Sequence, residues 1–171
     1  MNFKIQFPET KIDHWAERYE YQGEDKIIDI GKGAKGKGYL TKDEFLKICE
    51  WKTQRSKSRC KKNADEDIEI VTRAAFSIKT NDIKIKLLCS LHGVEWATAS
   101  TILHFCDKEN YPIFDFRALW SLGVEKPNVF SSKFWNRYKE YIDEISSKNN
   151  KTFRIIDRAL WQYSKEHQKG T

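Results

Sequence analysis

Apolar residues recur every three or four positions along most of the chain, which is the pattern of helices that bury one face. No apolar run alternates with polar residues over the length of a strand. The helical pattern marks residues 11–22, 41–55, 68–78, 81–91, 98–106, 134–145 and 152–166. The pattern therefore predicts an all-α fold, a compact multi-helix domain of seven or so helices joined by short loops.

Several helix ends carry side chains that satisfy unpaired backbone groups. Thr41 followed three positions later by Glu44 is a capping box, which predicts a helix start at this point. Asn81 is predicted to cap the helix that follows it. Gly123 is predicted to close a short helix over residues 116–122, because glycine accepts the left-handed conformation that commonly ends a helix.

The run G-K-G-A-K-G-K-G at residues 31–38 interrupts the helical pattern. Its spacing approaches that of a nucleotide-binding loop, but Gly38 stands where such a loop needs the Ser or Thr that binds magnesium. We interpret the run as a flexible basic loop that follows a phosphate backbone, or as a plain surface linker. Residues 1–40 are thus predicted to form an N-terminal extension, with this loop packed on the rest of the domain.

A turn between two apolar segments holds the most informative residues. The run I-K-I-K-L-L-C-S-L ends at Leu91, and the run A-T-A-S-T-I-L-H-F begins at Ala97. Few residues separate them, and Gly93 can adopt the positive φ angle that a tight turn requires. The arrangement predicts a helix-hairpin-helix, whose second helix presents unpaired backbone N–H groups that suit a DNA phosphate. An ordinary turn between two helices is the alternative interpretation.

An isolated carboxylate follows the second apolar segment. Asp115 stands in Y-P-I-F-D, 22 positions after Gly93. The sequence L-H-G-V-E-W-A-T-A-S-T-I-L followed by Y-P-I-F-D resembles the pattern L-P-G-V-G-x-x-T-A-x-x-I-L … P-I-x-D of the helix-hairpin-helix base-excision DNA glycosylases, the endonuclease III and adenine glycosylase superfamily. The resemblance implies that Asp115 is catalytic. From the residues alone Asp115 is a helix N-cap for residues 116–122, and the two roles are compatible.

The resemblance also implies which residues bind DNA. The hairpin and the start of its second helix supply one group, namely His92, Gly93, Val94, Glu95, Trp96 and Thr98. A dense basic run before the hairpin suits DNA phosphates as well, or alternatively is a solvated loop, and it comprises Lys57, Arg59, Lys61 and Lys62. We expect double-stranded DNA to be the partner.

Aromatic and cationic residues elsewhere are candidates for a pocket that holds an extruded base. Lys52 falls where the family places the residue that fills the space left by the flipped base, and a basic helix end is the alternative interpretation. The segment R-A-L-W occurs at residues 117–120 and again at 158–161, so two arginines and two tryptophans are candidates for one pocket. The predicted base pocket comprises Trp51, Lys52, Arg55, Arg117, Trp120, Arg158 and Trp161.

Several positions depart from the family pattern. Glu95 replaces the second hairpin glycine and brings a negative charge to where a phosphate would approach. Ala97 stands where bifunctional members carry a lysine nucleophile, so the resemblance implies a monofunctional enzyme without lyase activity. Trp120 replaces the family's arginine, while Arg117 lies two residues after the aspartate. The four cysteines lack the spacing of a zinc or iron–sulfur site, so we expect no metal and no cofactor.

Length and charge limit the possibilities further. The 171 residues suit a single domain, and the formal charge of +6 with an isoelectric point near 9.0 favours a polyanionic partner. No apolar run reaches the length of about 20 residues that a membrane span needs, and the N-terminal residues lack the apolar stretch of a signal peptide. We expect a cytoplasmic protein that does not bind membranes and acts as a monomer.

These observations predict a DNA glycosylase of base-excision repair that flips out and excises a modified base, leaving an abasic site. A carboxylate in a dry pocket stabilises the positive charge that builds on the sugar as the bond breaks. The short chain predicts an open pocket, suited to a bulky base such as an alkylated purine or a glucosylated cytosine of phage DNA. Two alternatives remain: a non-catalytic DNA-binding helix-hairpin-helix module, and an all-α interaction protein associated with phage defence.

Overall fold

A computed structural model of the chain describes residues 2–107, 111–125, 127 and 129–169. Every regular element in this part of the chain is helical, so the all-α prediction is confirmed. Short 3-10 turns lie at Glu9–Lys11 and Gln54–Ser56. The α-helices are α1 Ile12–Glu17, α2 Glu24–Lys37, α3 Lys42–Lys52, α4 Lys57–Cys60, α5 Asp65–Ser77, α6 Asn81–Leu88, α7 Trp96–Cys106, α8 Phe116–Ser121, α9 Ser132–Asn149 and α10 Phe153–His167.

The helices fall into two compact units. The middle unit is Gln22–Tyr111 and contains α2 to α7. The terminal unit combines Met1–Tyr21 with Pro112–Thr171, so it contains α1 and α8 to α10. Among the described helices, none combines the length and the apolar composition that crossing a bilayer requires.

Helix α7 lies at the centre of the middle unit, where it packs against α2, α3 and α6. Eight of its eleven residues are buried, including Ala99, Ile102 and Leu103. A helix that is buried on nearly all sides needs neighbours around it, and small residues such as Ala99 and Ser100 let those neighbours approach closely. The segment after the Gly93 turn is therefore the core of this unit.

The glycine and lysine run at residues 31–38 is not a loop, as its composition had predicted. Helix α2 continues through it to Lys37 and ends at Gly38, which has a φ of +82°. A Cβ atom at Gly31 would lie 2.3 Å from the carbonyl oxygen of Phe105, so the glycine permits backbone contact between α2 and α7. Close packing against α7 thus stabilises a helix whose own glycines disfavour it.

Helix α10 organises the terminal unit, where it packs against α1, α8 and α9. Its buried residues include Ile156, Ala159 and Leu160, and the hydroxyl of Ser121 on α8 donates to the Leu160 carbonyl oxygen at 2.6 Å. The aromatic stripe of α9 is buried as well, since Trp135 and Tyr138 are at most 1% exposed. The prediction that this stripe forms core is confirmed.

The predicted helix ends are mostly confirmed. The Thr41 side chain accepts from the Glu44 N–H, and the Glu44 carboxylate accepts from the Thr41 N–H, which completes the capping box. Asn81 is the first residue of α6 and not its cap, because the N-cap position belongs to Thr80. Gly123 follows α8 with a φ of +68°, as a closing glycine should.

Candidate functional site

The turn between α6 and α7 spans residues 89–95 and centres on Gly93, which has a φ of +79°. The prediction of a positive φ angle at this glycine is confirmed. Leu91 and Val94 are buried, and the Val94 N–H donates to the Leu91 carbonyl oxygen at 3.1 Å. The buried side chains of Leu91 and Val94 therefore anchor the turn to the core of the middle unit. Its assignment as a helix-hairpin-helix stays a prediction.

The end of α4 holds this turn in place. The Asn63 side chain donates to the His92 carbonyl oxygen at 3.0 Å and accepts from the His92 N–H at 2.7 Å. A Cβ atom at Gly93 would lie 2.7 Å from Cys60 Sγ and 2.8 Å from the Cys60 nitrogen. The turn therefore rests directly on residues 60–63. Sequence reasoning missed Asn63, because its burial and its hydrogen bonds to His92 depend on contacts between residues 29 positions apart.

The residues of the basic run lie in different surroundings. Arg59 Nη2 lies 3.6 Å from Glu95 Oε1, so this arginine is beside the turn. Lys57 instead pairs with Glu50 at 2.5 Å, and both partners are 42% exposed. Lys61 and Lys62 are exposed at the end of α4. We call the exposed residues around this turn the turn surface, which consists of Arg59, Lys61, Lys62, His92 and Glu95.

The start of α7 differs from a plain anion-binding helix end. Glu95 occupies the N-cap position, but its side chain makes no capping hydrogen bond, and it is 71% exposed. Trp96 is half-buried, whereas Thr98 is only 2% exposed. The Thr98 side chain therefore belongs to the core, and any role of this residue at the surface falls to its backbone.

Cys60, which lies against Gly93, and Cys49 on α3 shift each other's pKa. A hydrogen bond from the Cys49 thiol lowers the pKa of Cys60 to about 6, and further lowering comes from Ser56 and the Arg59 charge, against the opposing effect of burial. The same hydrogen bond to Cys60, together with burial, raises the pKa of Cys49 well above its usual range. Cys60 thus carries the more acidic of the two thiols, at the point where the turn rests on α4.

Asp115 is the N-cap of α8, as predicted from the residues. Its Oδ1 accepts from the Arg117 N–H at 2.8 Å, and the residue is half-buried. Ile113 and Phe114 immediately before it are buried, so the chain leaves the core of the terminal unit at the carboxylate. This hydrogen bond fixes the orientation of the Asp115 side chain.

A second carboxylate, that of Asp157, acts through its charge on the same buried tyrosine, Tyr138, as Asp115 does. The buried Tyr138 hydroxyl donates to the Ile113 carbonyl oxygen at 2.9 Å, and burial raises the pKa of Tyr138. The negative charges of Asp157 and Asp115 raise that pKa further. Asp157 is 5% exposed and forms an ion pair with Arg154. Sequence reasoning missed Asp157, although an acidic residue on the apolar side of α10 is a signal for a paired charge.

Arginines and aromatic rings meet in the terminal unit. The Arg117 guanidinium lies 5.5 Å from the Trp161 ring centroid, while those of Arg154 and Arg158 lie 4.9 Å and 5.5 Å from the Tyr19 ring centroid. The Tyr19 and Trp161 rings meet edge to face at 5.2 Å. We call these five residues the arginine–aromatic cluster.

The cluster gathers only part of the predicted base pocket. It includes Arg117, Arg158 and Trp161 from the two R-A-L-W segments, and it adds Arg154 and Tyr19, which the sequence did not single out. Trp120 instead contacts the Tyr163 ring at 5.9 Å.

The remaining predicted pocket residues belong to the middle unit. The Trp51 indole N–H donates to the Gln22 carbonyl oxygen at 3.0 Å, and the ring meets Phe105 edge to face at 5.6 Å. Lys52 is the half-buried last residue of α3, and Arg55 is exposed in the following 3-10 turn.

Two depressions occur on the surface of the middle unit. One has a volume of about 520 Å³ and is lined by residues of α5 together with Thr41 and Lys42. The other has a volume of about 260 Å³, and Phe76 and Cys106 contribute to its walls. None of the residues predicted for DNA binding or for the base pocket lines either depression.

Comparisons with protein-family models, with curated proteins and with solved structures found no match to this chain.

Proposed function

We propose that this protein is a monofunctional DNA glycosylase that extrudes a modified base from a duplex and hydrolyses its N-glycosidic bond. The observation that carries the proposal is the position of Asp115, a half-buried carboxylate oriented by the Arg117 N–H, 22 positions after Gly93. In this proposal double-stranded DNA is the partner, the monomer is the working unit and the cytoplasm is the compartment.

The chemistry needs a fixed negative charge beside the sugar. Positive charge develops on the sugar as the bond to the base breaks, and a preoriented carboxylate stabilises that charge without reorganising. The same carboxylate can position the attacking water. Ala97 supports hydrolysis by water, because an alanine side chain cannot form a covalent intermediate with the sugar.

The turn surface supports a role in binding the DNA backbone. Arg59, Lys61 and Lys62 provide positive charge, and the bracing of His92 by Asn63 holds the turn in one conformation. Contacts of this kind position a protein on a duplex but do not read its sequence. In this proposal the turn surface supplies affinity for the DNA backbone, and Asp115 supplies the catalytic carboxylate.

Replacement of Asp115 by asparagine separates the proposed catalytic role from the capping role. Asparagine caps helices about as well as aspartate, so Asp115→Asn should fold normally while the negative charge is removed. We expect abasic-site formation on duplexes with single modified bases to fall about 100-fold or more. Release of the base would be measured by alkaline cleavage of the abasic product under single-turnover conditions.

The matched control is Asp143→Asn, which alters an exposed aspartate on α9 of the same unit. This variant should release bases at the wild-type rate. The proposal fails if Asp115→Asn and Asp143→Asn release bases equally well, or if the wild-type protein releases none of the bases tested.

A non-catalytic DNA-binding module is the second candidate function. The two hydrogen bonds between Asn63 and His92 favour this second candidate, because they order the surface proposed to face DNA without any involvement of Asp115. This candidate predicts duplex binding that weakens as salt rises, with no abasic product from any substrate. Absence of such binding would favour an interaction protein instead.

A further inference from the structure

Two of the four free cysteines lie side by side in the core of the middle unit. Cys49 belongs to α3, and Cys60 is the last residue of α4. Both are 0% exposed, and the Cys49 thiol donates a hydrogen bond to the Cys60 sulfur. Ser56 Oγ lies 3.8 Å from Cys60 Sγ. The two cysteines therefore form a dithiol pair whose sulfur atoms are in contact.

Cys60 also contacts the turn that centres on Gly93. A Cβ atom at Gly93 would lie 2.7 Å from Cys60 Sγ and 2.8 Å from the Cys60 nitrogen. The Cys60 carbonyl oxygen accepts from the Asn63 side chain at 2.8 Å, and the same side chain donates to the His92 carbonyl oxygen. Because these contacts join Cys60 to the turn, a shift of the Cys60 sulfur toward Cys49 changes the support of the turn.

The chain around Cys60 is positively charged. The cationic residues next to it in the sequence are Lys57, Arg59, Lys61 and Lys62. Glu50 pairs with Lys57. Glu95 lies beside Arg59, so the other two lysines, which are exposed, provide the excess charge of this segment. Positive charge favours the thiolate form of a cysteine and attracts an anionic oxidant such as glutathione disulfide.

Two further features make Cys60 the reactive thiol of the pair. The hydrogen bond from Cys49 lowers the pKa of Cys60 to about 6, so its sulfur is largely a thiolate at neutral pH. Helix α4 has only four residues, and a helix of one turn opens locally, which gives an oxidant access to the buried sulfur. Cys89 and Cys106 differ, because burial raises the pKa of each to about 12.

We propose that Cys60 and Cys49 form a reversible oxidation site, whose disulfide loosens the turn at Gly93. The Cys60 thiolate attacks one sulfur of glutathione disulfide, which forms a mixed disulfide and releases one glutathione thiolate. This step removes the Cys60 thiolate, whose hydrogen bond is the main cause of the raised pKa of Cys49.

Cys49 completes the exchange. Its thiol loses a proton to solvent and attacks the Cys60 sulfur, which forms the Cys49–Cys60 bond and releases the second glutathione. Two protein thiols are thereby oxidised, and one glutathione disulfide is reduced to two glutathione molecules. The oxidation itself goes beyond the proposed glycosylase function, whereas its effect on DNA binding rests on that function.

Peptide mapping of the folded full-length protein tests the oxidation site. The protein is incubated with reduced and oxidised glutathione at several ratios, the remaining thiols are blocked with iodoacetamide, and linked peptides are identified by mass spectrometry. We expect the Cys49–Cys60 disulfide as the main product, and dithiothreitol should reverse it. Absence of this disulfide at every ratio, or its formation only in urea, would overturn the oxidation site.

Cysteine variants assign the two steps. Cys49→Ala should stop the reaction at the mixed disulfide of Cys60, and Cys60→Ala should give neither product. The matched control is Cys89→Ser, which should form the disulfide as the wild type does. Circular dichroism shows whether each variant folds, and the wild-type peptide map carries the test for any variant that does not. Equal formation of disulfides that involve Cys89 or Cys106 would overturn the assignment to this pair.

The effect on the turn is measured with and without DNA. The NMR amide signals of His92 and Gly93 should shift when the wild type is oxidised and stay in place in Cys60→Ala. Duplex affinity, measured by fluorescence anisotropy, should fall about fivefold on oxidation because the proposed DNA-binding turn loses its support. Shifted amide signals without duplex binding in either redox state would retain the oxidation site and overturn the proposed DNA function. A disulfide that leaves both amide signals in place would overturn its coupling to the turn.

Discussion

The turn surface of the middle unit and the arginine–aromatic cluster of the terminal unit both concentrate positive charge, but in different surroundings. On the turn surface the ion pair of Arg59 with Glu95 is long and well exposed, and Lys61 and Lys62 face solvent. In the cluster Arg154 is 13% exposed and pairs with a buried Asp157. Salt screens the first kind of charge strongly and the second kind much less.

Because the two regions differ in exposure, the charges of the turn surface and those of the arginine–aromatic cluster should have different effects. Exposed charges steer a polyanion and set its salt dependence, and they contribute little to the free energy of unfolding. Charges that are mostly buried must be matched by partners, so they affect both stability and the identity of a ligand. Three variants test the contrast, from the largest expected effect to the smallest.

Asp157→Asn should cause the largest loss. Asparagine removes the negative charge that faces Arg154, and both side chains have little contact with water, so the free energy of unfolding should fall by about 3 kcal/mol. Urea unfolding followed by circular dichroism would measure the loss. Asp13→Asn is the control, because the Asp13 carboxylate is 54% exposed in its pair with Lys151, and it should cost less than about 1 kcal/mol. Equal losses for the two variants would contradict the contrast.

Gly93→Ala should combine a smaller loss of stability with a loss of DNA affinity. Alanine is strained at a φ of +79°, and its methyl group would collide with Cys60, so we expect a loss of about 2 kcal/mol. Duplex affinity should fall because the turn moves away from residues 60–63.

The control for this variant is Gly36→Ala, at a helical position of α2 where an added Cβ atom would meet nothing within 4 Å apart from its chain neighbours and the backbone of its own helix. It should stabilise the protein by about 0.5 to 1 kcal/mol and leave DNA affinity unchanged. If Gly93→Ala kept full affinity for duplex DNA, the turn would not be the DNA-binding element.

Glu95→Gln should have the smallest effect, and it should act in the opposite direction. Removal of this exposed negative charge from the turn surface should raise duplex affinity about threefold at low salt, and the gain should disappear at high salt because exposed charges are screened. Anisotropy titrations at two salt concentrations would measure it, with Glu140→Gln on the exposed side of α9 as the control. An unchanged affinity at low salt would mean that DNA does not approach Glu95.

Local chemistry determined the helices and several of their ends. The capping box at Thr41 and Glu44, the cap at Asp115 and the turn at Gly93 all follow from short-range rules, because each involves residues a few positions apart. The all-α fold follows from the spacing of apolar residues in the same way. The catalytic role that the resemblance to the glycosylases implies for Asp115 stays a prediction.

Tertiary structure decided the features that depend on distant partners. The glycine and lysine run is helical because Gly31 packs on the Phe105 backbone, a contact that local composition does not reveal. Asn63 holds the turn only because α4 lies beneath it, and Arg117 reaches Trp161 only because α8 packs on α10. The sequence by itself therefore determined most of the helices and several of their caps through local propensity, although it misplaced the cap of α6 and missed α2. Packing decided that α2 is helical despite its glycines, and it decided which arginines contact which aromatic rings. Both features depend on contacts between residues far apart in the chain.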